Sequence, residues 1–426
     1  MARLLIDKIK ECLREPITKA GLVALLAFGG RDLYSNEIRV PKDYIIIQSA
    51  INDANDGDEI IVSPGTYYEN INFKGKNIVL RSTNPNDSNI VASTIINGMD
   101  KSVVNFNSGE DPNCVLSGFT ITNGGPYEVY IWFAGGGIVC HHSSPTITHN
   151  IIAGNRGMEW GGGIYLREGS SPLIMQNIIM HNSAAISGGG IDCVADSSPA
   201  IIGNKIIMNQ GDGSAGAINI MYSSPIILYN LIALNYKVGI CIGGSGEQTI
   251  ILNNTIANTL PRGDDPQHFG IEVYGTKPII RNCILWENGT ELEGCTATYS
   301  CIKGSYSSIG NISTDPLFAD PNNYDYHLKS QAGRWDPNSK TWTLDDVTSP
   351  CIDAGDPLSP IGYEQFPNGG RINMGAYGGT LEASKSYFGK PNCETIVAGD
   401  INGDCIVNFK DFAIMAYHWL EDRGGE

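Results

Sequence analysis

From Gly135 to Asn155 the chain reads GGGIVCHHSSPTITHNIIAGN, and its apolar positions alternate over stretches too short for a helix. In Ile138-Val139-Cys140, Ile164-Tyr165-Leu166, Ile191-Asp192-Cys193 and Ile218-Asn219-Ile220 the outer two residues are apolar and the middle one varies. That period of two predicts a strand with one buried face. Gly and Pro are confined to the corners between such runs, where a missing donor or a positive φ is tolerated. The block returns as GGGIYLREGSSPLIMQNIIMHN, GGGIDCVADSSPAIIGNKIIMN and GAINIMYSSPIILYNLIALN, at steps of 24 to 29 residues. A unit of that length cannot bury a core alone, so the pattern predicts coils stacked along one axis, each read as strand, turn, strand, turn.

Within each copy an Asn follows the Pro by five positions, giving Asn150, Asn177, Asn204 and Asn230, with Asn254 in a copy that has Thr249 in place of Pro. A second Asn follows five residues later, at Asn155, Asn182, Asn209, Asn235 and again Asn288. Equivalent residues of stacked coils lie about 4.8 Å apart, so these side chains should bond to one another and to corner backbone. The expected role is structural.

These repeats resemble the right-handed parallel β-helix of the pectate lyase-like superfamily, over roughly residues 44–303. The opening segment IQSAINDANDGDEIIVSPGTYYENINFKGKNIVLRS is similar to the usual start of such proteins. The resemblance implies an amphipathic helix around residues 47–54 that plugs the open end of the stack, protecting core and strand edges. The expected fold is all-β, a right-handed parallel β-helix with an N-terminal helical cap and a small C-terminal EF-hand or dockerin-like module. The expected divisions are 1–36 as an export signal or N-terminal anchor, 37–304 as the β-helix, 305–392 as a C-terminal cap and 393–426 as a calcium-binding half-dockerin. The 305–392 segment, with DPLFADPNNYDYHLKS, SPCIDAGDPLSP and PNGGRINMGAYGG, looks like the terminal segment of bacterial secreted β-helix proteins, planctomycete-like ones above all. Asp315, Asp320, Asp353 and Asp356 stand beside Pro and Gly there, which reads as turn-making.

The formal charge of −17 argues against nucleic acid and against an anionic membrane surface as partners. Five basic residues, Arg3, Lys8, Lys10, Arg14 and Lys19, precede the apolar run GLVALLAFGG, which is too short to span a bilayer comfortably. A basic start and an apolar stretch read as an export signal, with a retained anchor or a cytosolic helix as alternatives. The expected location is extracellular or at the cell surface, and the expected state is a monomer. The eleven cysteines form no compact framework. Cys140 and Cys193 fall on inward positions two coils apart, too far to bridge, and read as small core residues. Cys295 with Cys301, or Cys393 with Cys405, could pair in an exported protein.

The sharpest chemical motif is GDINGDCIVNFKDFAIMAYHWL near the C-terminus. Asp400, Asn402, Asp404, Asn408 and Asp411 occupy positions one, three, five, nine and twelve of a twelve-residue calcium loop, with the Ile406 carbonyl at seven. The loop resembles a type I dockerin repeat, which implies bound Ca2+ and a cohesin-like or cell-surface scaffold as a partner. It departs from that pattern in having Cys405 where Gly is usual at position six, and in being a single loop.

On the face that carries GGGI, the outward positions give one column of Val139, Tyr165, Asp192 and Asn219 and a second of His141, Arg167, Val194 and Met221. The loops leading into these strands hold Trp132, Phe133 and Trp160. Rings beside a flat sheet suit a sugar polymer, whose pyranose faces stack while its hydroxyls find hydrogen bonds. Trp132, Phe133, Trp160 and Tyr165 are therefore candidate substrate-binding residues. A uronate lyase needs a cation to neutralise the carboxylate and a base for the α proton. Arg167 and His141 are candidates for these roles, with Asp192 orienting one of them. A glycosidase needs two carboxyl groups close together, and Asp192 and Glu272 lie three coils apart. The sequence thus points to an exported β-helix that binds polysaccharide and cleaves it as a lyase or glycoside hydrolase. The alternative is a non-catalytic carbohydrate-binding or surface structural protein.

Overall fold

The computed structural model describes residues 36–125, 127–129, 132–387 and Phe412, with backbone alone at 127–129 and 132–134. The expected calcium ligands Asp400, Asn402, Asp404, Ile406, Asn408 and Asp411, and the expected export segment up to residue 35, lie outside the described residues.

The coils stack as three parallel sheets. Sheet I has ten strands, from Glu37–Val40 to Ile279–Arg281; sheet II has ten, from Gly65–Tyr68 to Cys301–Ile302; sheet III has nine, from Ile71–Asn72 to Thr290–Glu293. One coil supplies Ile138–His141 to sheet III, Thr146–Thr148 to sheet I and Ile151–Ala153 to sheet II. The expectation of two strands per coil is corrected by a backbone detail. The residue before each ladder Asn has a left-handed φ, at His149 (56°), Gln176 (54°), Gly203 (62°) and Tyr229 (58°), and this breaks one apolar run into two strands.

Inward residues stack in register. Ile147, Ile174, Ile201, Ile227, Ile251 and Ile280 pair in succession along sheet I, and all are buried. Each such side chain contributes about 1.5–3 kcal/mol on leaving water. Cys140 and Cys193 are buried in the same core, and every described cysteine is free, Cys295 and Cys301 included.

Both Asn ladders form. Asn150 Nδ2 donates to Asn177 Oδ1 at 3.1 Å, and the chain continues through Asn204 and Asn230 to Asn254. In the second ladder Asn155, Asn182, Asn209 and Asn235 bond likewise at 3.0–3.1 Å. Each Asn also donates to a backbone carbonyl of the preceding coil, as Asn182 does to Ile152 at 2.8 Å. The second column ends at Asn288, whose backbone N–H and Nδ2 both donate to the carboxylate of Glu291, at 3.1 and 2.6 Å. These groups are buried, so the bonds satisfy corner amides that water cannot reach.

A helix, α1 (Ile47–Asp53), covers the N-terminal end and buries Ile47, Ala50 and Ile51 against the core. Its first turn donates backbone N–H groups of Ile47 and Gln48 to Glu69 at 2.8 Å each. Lys76 Nζ donates to the carbonyls of Ile51, Asn52 and Ala54 at the other end. Both termini thus gain charge of the sign their unpaired groups favour.

The segment after residue 304 does more than close the stack. Its hairpin of Phe318–Asp320 and Asp325–Leu328 lies along the outer face of sheet II, where Tyr326 and Ala376 pack with Ile207, Leu231, Ala233 and Ala257. Arg281 to Asp356 (2.6 Å), Asn253 Nδ2 to the Asn373 carbonyl (3.1 Å) and the Ala376 N–H to Thr255 Oγ1 (3.0 Å) fasten it to the corners. Asp315, Asp353 and Asp356 accept backbone N–H groups of nearby turns, from Leu317, Gly369 and Leu358. Sheet II is therefore a buttressed face, and sheet III is left to the loops.

Candidate functional site

The loops before the sheet III strands fold back over them. Short strands Arg156–Gly157, Ser183–Ala184 and Gln210–Gly211 form a small parallel sheet of their own. The first Gly of each GGG turns this loop down onto the next strand. A Cβ on Gly161 would lie 2.5 Å from Tyr165 Cβ, and one on Gly188 2.4 Å from Asp192 Cβ, with φ of +62° and +63°. The first outward column is consequently enclosed: Val139, Tyr165, Asp192 and Asn219 are all buried. Val139 and Tyr165 form an apolar cluster with Trp160, and Tyr165 keeps 4 % of its surface exposed. Tyr165 is thus enclosed, while Trp160 packs against this cluster and stays partly exposed. Burial pushes the Tyr165 hydroxyl up to about 12.

Asp192 is fully buried. Its carboxylate accepts from Asn219 Nδ2 at 2.7 Å and from Ser187 Oγ at 3.1 Å. Burial raises it to about 6, against those two bonds. Its carboxylate bonds Asn219 and the loop, and it makes no hydrogen bond to His141 or Arg167. For Trp132 and Phe133 the structure gives backbone alone: Trp132–Ala134 pairs antiparallel with Tyr127–Val129.

The second outward column holds. His141 and Arg167 are register partners in neighbouring coils. Sequence reasoning missed Glu168, which joins them. Its Oε2 lies 2.9 Å from His141 Nε2 and 2.8 Å from His142 Nε2, while Oε1 accepts from Arg167 Nε at 2.9 Å. Left-handed φ at His142 (52°) and Glu168 (55°) turns these corner side chains back toward the strand ends. Against the effect of its partial burial, His141 and Arg167 hold the Glu168 carboxyl below its ordinary value. The signal lay in the sequence as HH at one corner and RE at the next.

Farther along sheet III, the register continues from Asp192 through Asn219 and Cys241 to Glu272. Here the covering loop opens into a groove of about 250 Å³ lined by Ser214, Lys237, Cys241, Asp265, Phe269, Glu272 and Tyr274 among others. The Tyr274 hydroxyl donates to Glu272, which raises it above its usual range. Lys237 Nζ donates to the Gly213 carbonyl at 2.9 Å, and Arg262 pairs with Asp212 at 2.7 Å at the rim. Two carboxyl groups, a cation and two rings thus converge on one concavity.

Residues 77–256 match a family described as "Right handed beta helix region", and residues 214–355 match one described as "Disaggregatase related". No curated protein matches the chain. Among solved structures, the crystal structure of pectate lyase Pel9A aligns at 14 % identity and a TM-score of 0.45, covering 81 % of this chain and 97 % of that one. The stacked parallel sheets and the family match together make this protein a right-handed parallel β-helix.

Proposed function

We propose that this protein binds polysaccharide along sheet III, with the groove between Ser214 and Tyr274 holding the sugar chain. The observation that carries the reading is the composition of that groove. Phe269 and Tyr274 supply rings for pyranose faces, and Lys237, Asp265 and Glu272 supply polar groups for hydroxyls or an acidic substituent. The C-terminal segment covers part of sheet II, while the loop-lined side of sheet III carries this groove. The groove residues from Ser214 to Tyr274 also fall within the disaggregatase-related match. Cleavage is the second reading, favoured by the presence of both Asp265 and Glu272 in one groove, since glycoside hydrolysis uses two carboxyl groups. In the same proposal the chain is exported, and the loop from Asp400 to Asp411 binds Ca2+ and tethers the protein to a cohesin-like or cell-surface scaffold.

The test is migration of the full chain through gels containing acidic or neutral polysaccharides, together with assays for unsaturated uronates and new reducing ends. Retardation by one polymer, weakened at least tenfold in Tyr274→Ala and Lys237→Ala, supports the reading. Equal migration in every gel, or retardation that both variants retain, overturns it. Product formation abolished by Glu272→Gln would establish cleavage.

A further inference from the structure

We infer that His141, His142 and Glu168 form a binding site for a divalent transition metal, with zinc the best-matched ion. The three ligand atoms lie within 4.8 Å of one another. Two imidazole Nε2 atoms and one carboxylate oxygen are the donor set that borderline ions favour, whereas calcium and magnesium prefer oxygen alone.

The arrangement is built by the fold. The His141 ring rises from the end of a sheet III strand, and His142 follows at a left-handed corner, so adjacent residues present both rings to one point, with ring centroids 4.6 Å apart. Glu168 reaches that point from the next coil. Arg167 binds Oε1, which leaves Oε2 to face both imidazoles at 2.8–2.9 Å. A hydrogen-bonded carboxylate of this kind is the usual support of a metal ligand. Bonds of about 2.0–2.2 Å in tetrahedral geometry put neighbouring ligand atoms roughly 3.3 Å apart, so an entering ion widens the two Nε2–Oε2 separations by about half an ångström. The side chains of His141, Glu168 and His142 are 26, 34 and 63 % exposed, so the fourth position faces solvent. Three protein ligands and one open position make a site that can take water or an anionic group of a ligand.

The experiment titrates the full chain with Co2+, read by its visible absorption, and with Zn2+ in competition with a chromophoric chelator. The expected result is a Zn2+ site that excess Ca2+ and Mg2+ leave occupied. His141→Gln and His142→Asn each weaken it at least a hundredfold, and Glu168→Gln and Arg167→Gln about tenfold. His142→Asn keeps a residue tolerant of positive φ, and an unchanged circular dichroism spectrum shows that the fold survives. Absence of any Zn2+ or Co2+ binding, or equal affinity and stoichiometry in His141→Gln and His142→Asn, overturns the inference. Polysaccharide binding in the Ser214 to Tyr274 groove is read separately, so either proposal can fail alone.

Discussion

Replacement of Asn182 by Ala tests how much the ladders stabilise the stack. Asn182 is fully buried. Its Oδ1 accepts from the Asn155 N–H and from Asn155 Nδ2, both at 3.0 Å, and its Nδ2 donates to the Ile152 carbonyl at 2.8 Å and to Asn209 Oδ1 at 3.0 Å. Truncation leaves the Asn155 N–H, one Asn155 amide proton and the Ile152 carbonyl unpaired. Asn209 Oδ1 keeps the Asn182 backbone N–H as a donor. Three orphaned buried groups at about 1–3 kcal/mol each, partly relieved by relaxation, give an expected loss of about 3–5 kcal/mol. Equilibrium urea unfolding measures it, with circular dichroism and tryptophan fluorescence as independent probes. Because each coil touches only its neighbours, the two probes should separate in the variant if the stack breaks at that coil. A loss below about 1 kcal/mol with an unchanged denaturant slope would refute the argument, since exposed polar substitutions already reach half of that.

Two further outcomes follow from buried groups. Glu364, whose Oε1 accepts from Asn373 and Gly379 N–H groups, is pushed up to about 8 by burial. Its protonated form is favoured by folding, so its contribution is complete below the ordinary value of 4.5 and is lost as pH rises toward 8; Glu364→Gln should flatten urea midpoints across that window and stabilise the protein at pH 9 by on the order of 4 kcal/mol. Burial opposes the charge on His327, yet its bonds to Asp325 and Glu382 raise it above 6.5, so its contribution is full below that value and is lost as pH climbs through the folded one; a flatter alkaline profile in His327→Gln checks this. Gly163→Ala should cost about 2–3 kcal/mol, because its Cβ would lie 2.5 Å from the Gly190 carbonyl, whereas Gly169→Ala meets no atom within 4 Å and should cost about 1 kcal/mol for its φ of +76° alone. Thermal midpoints of the two glycine variants distinguish crowding from backbone strain.

The solenoid, its inward isoleucines and the Asn ladders were legible because each is a one-dimensional pattern repeated down the sequence. The helix over Ile47–Asp53 was expected from the resemblance of the opening segment to the usual start of β-helix proteins. The third strand per coil was hidden, since a left-handed His149 or Gln176 has no more distinctive spelling than any other residue. Enclosure of Tyr165 and Asp192 was hidden as well. Alternation tells inward from outward, but a loop lying over the outer face decides exposure, and the first glycine of GGG signals that loop only once its close approach is seen. Glu168 escaped notice because its partners are recruited across coils and at corners. The C-terminal segment reads as a cap from its position after the repeats, while its path along sheet II depends on Tyr326 finding Ala233 and Ala257.

The amides of Asn155, Asn182 and Asn209 point one way, each passing a proton donor toward the C-terminal coil and an acceptor toward the N-terminal one. Such a column has a grammar. An amide is a word that can both receive and hand on. A carboxylate only receives. Glu291, from the same coil, takes both N–H groups of Asn288 and so closes the column on its C-terminal side. A designer wishing to splice in further coils would insert them where one amide hands on to the next, between Asn155 and Asn235.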